Sequence, residues 1–191
     1  MASSEEQRLI RLLKNDPQRI EILKAVATLS LHDCWVVAGF VRNLVWDHLH
    51  NKKTDLNDVD VIYYCQSDTQ SQLADNATRQ LQALLPKVNW QVKNQALMHK
   101  KRQHNQYLSS IDAMTFWPEQ ETAIAVHLDE SGCFSIIAPF GLSSLFEQRI
   151  TFNPKGNEQV FWQRIEQKLW LTTWPQLVVE KAISANKNIQ A

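Results

Sequence analysis

The chain has 191 residues, 44% of them hydrophobic, with 20 Lys and Arg against 20 Asp and Glu and a formal net charge of zero. This is an ordinary globular composition, long enough to bury a core, and the charge balance argues against a general affinity for nucleic acid or acidic membranes. Glycine is scarce: four residues, at 39, 132, 141 and 156, lie too far apart to write either G-x-G-x-x-G or G-x-x-x-x-G-K-[ST].

In chain order, residues 4–14 have the spacing of a short amphipathic helix with Leu9, Ile10, Leu12 and Leu13 apolar. Asp16-Pro17 caps and opens a second helix whose face carries Ile20, Leu23, Ala27 and Leu31. Trp35-Val36-Val37-Ala38 reads as a buried strand ending at Gly39, and residues 40–49 return to helical spacing. A polar loop over 50–57 leads to a strand over 58–64, a surface helix is expected over 68–85, and a third strand over 90–93. Residues 99–106 are polar throughout and read as loop, and Ser110 caps a helix running to Trp117. Residues 122–128 and 133–138 flank Asp129-Glu130-Ser131-Gly132 as a β-hairpin, and Asn157 caps a last helix through Leu171. No linker or repeat interrupts the chain. One domain is expected, with N-terminal helices in 1–30, a core in 31–150 and a C-terminal helical segment in 151–191. Three dispersed cysteines without C-x-x-C fit a reducing compartment. The charged N-terminus lacks a signal-peptide core, so a cytoplasmic location and no membrane partner are expected.

The chemistry concentrates between Trp35 and Tyr64. Period two along a strand puts Asp58 and Asp60 on one face. Two carboxylates at that spacing can share Mg²⁺ or Mn²⁺, with water and substrate phosphate completing the shell. Gly39, at a strand-to-helix turn, lets backbone approach a phosphate at a helix N-terminus, and Arg42 one turn on can add a bidentate contact. A D-x-D entering a sheet is also common as plain structure, and Arg42 is equally able to pair with Asp47.

The segments Trp35–Asn43, Trp46-Asp47, Asp58–Val61, Asn94–His99, Trp117-Pro118-Glu119 and Ala138–Leu142 resemble, in order, a small bacterial nucleotidyltransferase-like family within the polymerase-β-like nucleotidyltransferase superfamily. The resemblance implies an α+β fold, a small mixed or antiparallel sheet with helices packed on it. It also implies metal-dependent transfer of a nucleoside monophosphate from a nucleoside triphosphate to an unidentified hydroxyl acceptor. Asp58 and Asp60 would be the catalytic, metal-binding pair, and Gly39 the glycine of the signature. Two positions depart from it. Phe40 stands where a second small residue is expected, crowding the phosphate approach. Gln91 stands where a third carboxylate would activate the acceptor, and an amide cannot take that proton. Glu119 or Glu121 could substitute, or the chain could be a non-catalytic nucleotide-binding or interaction module. Asn94, Gln95 and His99 form a polar set after the third strand, able to contact substrate or simply to hold structure. The run Lys100-Lys101-Arg102 reads first as a solvated loop. Trp162, Trp170 and Trp174 are expected to seal the last helix to the body.

Overall fold

A computed structural model describes residues 3–102 and 104–180. Helices α1 (Ser4–Lys14) and α2 (Pro17–Ala27) open the chain. Ser3 and Glu6 form a reciprocal capping box on α1, and Asp16 accepts the amide of Arg19 to start α2. The second helix stops before Leu31 because Thr28 turns its hydroxyl back onto the carbonyl of Ala25. Then follow β1 (Trp35–Val37), α3 (Gly39–Leu49), β2 (Val59–Tyr63), α4 (Gln72–Leu84) and β3 (Trp90–Asn94). The surface helix begins later than its polar spacing predicts. Asp68 is buried instead, accepting the amides of Gln72 and Leu73 and the hydroxyl of Tyr63.

The segment expected as loop holds a short helix, α5 (Met98–Arg102), and the helix capped by Ser109, α6 (Ser110–Met114), ends three residues early. The hairpin is present as β4 (Ala125–Leu128) and β5 (Phe134–Ile137). In its turn Gly132 has φ +82° and donates to Asp129. Beyond it come α7 (Ser143–Phe146), β6 (Arg149–Thr151), α8 (Glu158–Gln167), α9 (Trp170–Thr173) and β7 (Val178–Glu180). The long last helix is thus broken. Leu169 takes φ +51°, which turns the chain between α8 and α9. The segment expected to be helical also contributes a strand, β7, which pairs in parallel with β6 at the end of the core. Its remainder, 181–191, lies outside the described residues.

The fold is α+β. A five-stranded sheet runs β3-β2-β1-β4-β5, antiparallel except for β2–β3, where the α4 crossover makes the pair parallel. Alternation sorts its residues. Val36, Val59, Val61, Tyr63 and Val126 join Leu9, Leu13, Leu23, Val41, Val45 and Leu81 in the main core. Val37, Ile62 and Ala125 face the other way, onto a smaller cluster with Met114, Trp117 and Phe140. Asp60 shares that second face, opposite Val37 in the register and 27% exposed at its side chain. Among the described residues no helix is long and apolar enough to cross a membrane.

Candidate functional site

The turn from β1 into α3 sets the site. Ala38, not Gly39, carries its strain: φ +60° and ψ −124°, conformations that side chains rarely adopt. Its carbonyl accepts the amides of Val41 and Arg42, leaving those of Gly39 and Phe40 without an acceptor among the described residues. A Cβ on Gly39 would sit 3.6 Å from the Arg42 guanidinium and the Asn43 amide, an ordinary contact. Gly39 therefore keeps a small opening over the helix N-terminus rather than permitting a special backbone angle.

That N-terminus forms one wall of a cleft of about 620 Å³ that also contains Asp58 and Asp60. Asp58 is exposed and has no partner among the described residues. Asp60 is 27% exposed at its side chain, and Oδ1 accepts from Lys93 Nζ at 2.8 Å. One free carboxylate and one with an uncommitted oxygen suit a divalent cation that takes its other ligands from water and phosphate. No group of three or more Asp, Glu, His or Cys among the described residues is placed to hold a metal by itself. Asp55 lines the same cleft from the loop without joining the pair in such a cluster.

Arg42 is buried at 6% exposure. Its Nη1 donates to Thr122 Oγ1 at 2.6 Å, while Nε and Nη2 share Asn43 Oδ1. Its guanidinium lies 4.9 Å from the Trp46 ring centroid and 4.4 Å from that of Trp170. These bonds use three of five N–H groups, so two remain for a phosphate in the cleft. Burial pushes the guanidinium down to about 10, opposed by the nearby Glu119, and it stays charged at neutral pH. Arg42 does not pair with Asp47. Asp47 instead accepts from Trp174 Nε1 at 2.9 Å and from Thr54 N and Oγ1 at 2.8 and 2.9 Å. It thereby ties the 50–57 loop and the segment after α9 to α3. Trp170 and Trp174 are buried against Trp46, while Trp162 is 37% exposed and stands edge-on to Phe161.

Several expected residues lie elsewhere. The Phe40 ring is in the main core, facing the Arg19 guanidinium, so it does not crowd the phosphate approach and only its amide is at the helix end. Asn94 is 1% exposed and spends its amide on Cys65, Asp68 and Ala96, bracing a turn. His99 bonds the carbonyl of Ala96 and edges onto Tyr107, away from the cleft. Gln95 reaches a neighbouring pocket. Gln91 pairs in register with Asp60 on the adjacent strand, and an amide is what stands there. Neither Glu119 nor Glu121 lines the cleft to replace it. Glu119 is buried behind Arg164, which donates to it at 2.6 Å, and Glu121 accepts the Thr151 amide.

Sequence reasoning missed most of the cations. Lys53, Lys93, Arg164 and Lys168 join Arg42 in the cleft. Two signals pointed to them: Lys93 follows Gln91 at period two, and Arg164 and Lys168 are four apart on α8 and its cap. Five cations and three carboxylates thus line the cleft, Lys93 paired with Asp60 and Arg164 with Glu119.

Known proteins share this fold. An NMR structure described as a CCA-adding enzyme head domain is 29% identical, with TM-score 0.81, covering 92% of this chain and 96% of that one. A CCA-adding enzyme in complex with CTP is 16% identical with TM-score 0.59, and the Thermotoga maritima CCA-adding enzyme complexed with tRNA is 17% identical with TM-score 0.60. They align with 90% and 91% of this chain, which spans only 43% and 42% of theirs, and at that identity they share the fold alone. A search of curated proteins finds no match. The family described as Nucleotidyltransferase matches residues 24–179, and the chain belongs to that family.

Proposed function

We propose that the cleft binds a nucleoside triphosphate and transfers its nucleoside monophosphate to a hydroxyl acceptor. The observation that carries this reading is the uncommitted Asp58 carboxylate beside Asp60, facing a cation-lined basin at the N-terminus of α3. The amides of Gly39 and Phe40, the two spare N–H groups of Arg42, and Lys53 and Lys168 would hold the β- and γ-phosphates. Asp58 and Asp60 would hold Mg²⁺ or Mn²⁺, which when bound neutralises charge on the reacting phosphates. Lys93, paired with Asp60 at 2.8 Å, holds that carboxylate in place at the cleft. In the transfer the acceptor oxygen bonds to the α-phosphorus and the bond to the bridging oxygen breaks. Pyrophosphate leaves with the electron pair, and the hydroxyl proton passes to water because Gln91 cannot take it.

Calorimetric titration of ATP and CTP, with and without Mg²⁺, on the wild type and the Asp58→Ala, Asp60→Ala double variant tests the site. Metal-dependent binding that the double variant loses supports it, and binding indifferent to both sinks it. Gln91 favours a second reading, a nucleotide-binding protein without transfer. Tight binding with no labelled product from α-labelled triphosphate in cell extract would select it.

A further inference from the structure

Asp60, Lys93, Arg164 and Ala38 are shared between the main cleft and a second, smaller pocket of about 200 Å³ that reaches over Val37 and Ile62. Its walls differ in kind from the cleft's. Ile62, Met98 and the ring of Trp117 are apolar, and Trp117 is half-buried with no aromatic neighbour among the described residues. Gln95 is only 4% exposed, lines this pocket, and its side-chain amide makes no hydrogen bond among the described residues. The amide opens onto the pocket, where water or a ligand can meet its donor and its acceptor. Arg102 also lines the pocket, and no carboxylate pairs with it among the described residues.

The position of this pocket has a chemical consequence that rests on the transfer reading. Attacking and leaving oxygens lie roughly in line at the transferred phosphorus. With the outer phosphates at the start of α3, the attacking hydroxyl arrives from the opposite side of the reacting phosphorus. This pocket adjoins Asp60 along the sheet face of Val37 and Ile62, and Gly39, Arg42 and Asp58 do not line it. At 200 Å³ it displaces about seven waters, the bulk of one substituted ring.

We infer that this pocket seats the acceptor, and that the acceptor is a small molecule with a flat or apolar body, an anionic group and a hydroxyl. Trp117 faces its body, Arg102 takes its anion, and Gln95 hydrogen-bonds its polar edge. Its hydroxyl oxygen lies toward Asp60 and bonds to the α-phosphorus as pyrophosphate leaves with the electron pair and the proton passes to water.

Ligand-observed NMR on the full chain tests this with three probes: 4-hydroxyphenylacetate, its cationic counterpart tyramine, and a short single-stranded RNA with a free 3′ hydroxyl. The expected result is binding of 4-hydroxyphenylacetate, weakened about tenfold in Gln95→Leu and in Arg102→Met, with tyramine and RNA at least tenfold weaker on the wild type. It should also bind alongside ATP without competition. Equal binding of tyramine, preferential binding of the RNA, competition with ATP, or indifference to folded variants each overturns the proposal. The tyramine comparison needs no variant and decides the matter if the variants do not fold. A separate ATP titration distinguishes the failures. If ATP does not bind, the transfer reading falls; if ATP binds and 4-hydroxyphenylacetate does not, only the acceptor assignment falls.

Discussion

Replacing Asp47 by Ala removes a carboxylate 6% exposed that holds three elements at once. Its oxygens accept from Trp174 Nε1, Thr54 N and Thr54 Oγ1, all at 2.8 to 2.9 Å. The Trp174 indole is 3% exposed, so without Asp47 its N–H has no route to water, whereas half-buried Thr54 can rehydrate in part. A buried donor left unmet costs about 1–3 kcal/mol, and hydrogen bonds to charged groups contribute about 1.5–3 each. With partial rehydration at Thr54, the loss comes to about 3 kcal/mol. For a chain of this size that lowers Tm by about 6–12 °C, measured by circular dichroism. Asp47→Asn keeps the shape but turns one amide N–H₂ toward donors, so its Tm should fall between the two. The loop released by Asp47→Ala carries Lys53, Asp55 and Asp58. ATP affinity measured well below Tm should therefore drop about tenfold or more. A Tm within about 2 °C of wild type, or unchanged ATP affinity in the folded variant, would refute the idea that Asp47 preorganises the cleft.

Two further outcomes follow from strain and burial. At Ala38 the positive φ costs about 1–3 kcal/mol. Glycine there loses about 0.5–1 in chain entropy and about 0.8 in buried methyl. Ala38→Gly should thus leave Tm unchanged or raise it by a few degrees, and Ala38→Val should lower it; a clear fall for the glycine variant would mean that the turn is unstrained. Burial raises the Glu121 carboxyl above its ordinary range, and one of its oxygens has no partner. The native state then holds more protons than the unfolded one between the ordinary and the raised value, so stability falls as pH rises through that window. Glu121→Gln should be at least as stable as wild type at pH 7, with the advantage vanishing in melts below about pH 4.3. An advantage independent of pH would contradict the assignment.

What the sequence makes legible is what period and order alone can encode. The strand, Gly39, helix, strand order and the one-face placement of Asp58 and Asp60 depend on local spacing, and both aspartates line one cleft with Gly39. Lys93 obeys the same period from Gln91, but reading it requires knowing that β3 lies beside β2, with Ile62 opposite Lys93. Asn94 and His99 look functional because polar residues after a strand so often are. Whether an amide is spent on Cys65, Asp68 and Ala96 or left open like that of Gln95 depends on where the turn folds back, and no spacing encodes it. The glycines invert in the same way. Gly39 stands at the motif yet would tolerate a Cβ sterically, while Gly156, in the loop before α8, would put one 3.0 Å from the Cα of Pro118. The strain sits at an alanine, which no composition argument flags. Local pattern thus brings Gly39, Asp58 and Asp60 together, whereas the smaller pocket beside Asp60 is assembled from β3, α5 and Trp117, pieces distant in sequence. The acceptor seat proposed for that pocket depends on tertiary packing, which no local pattern encodes.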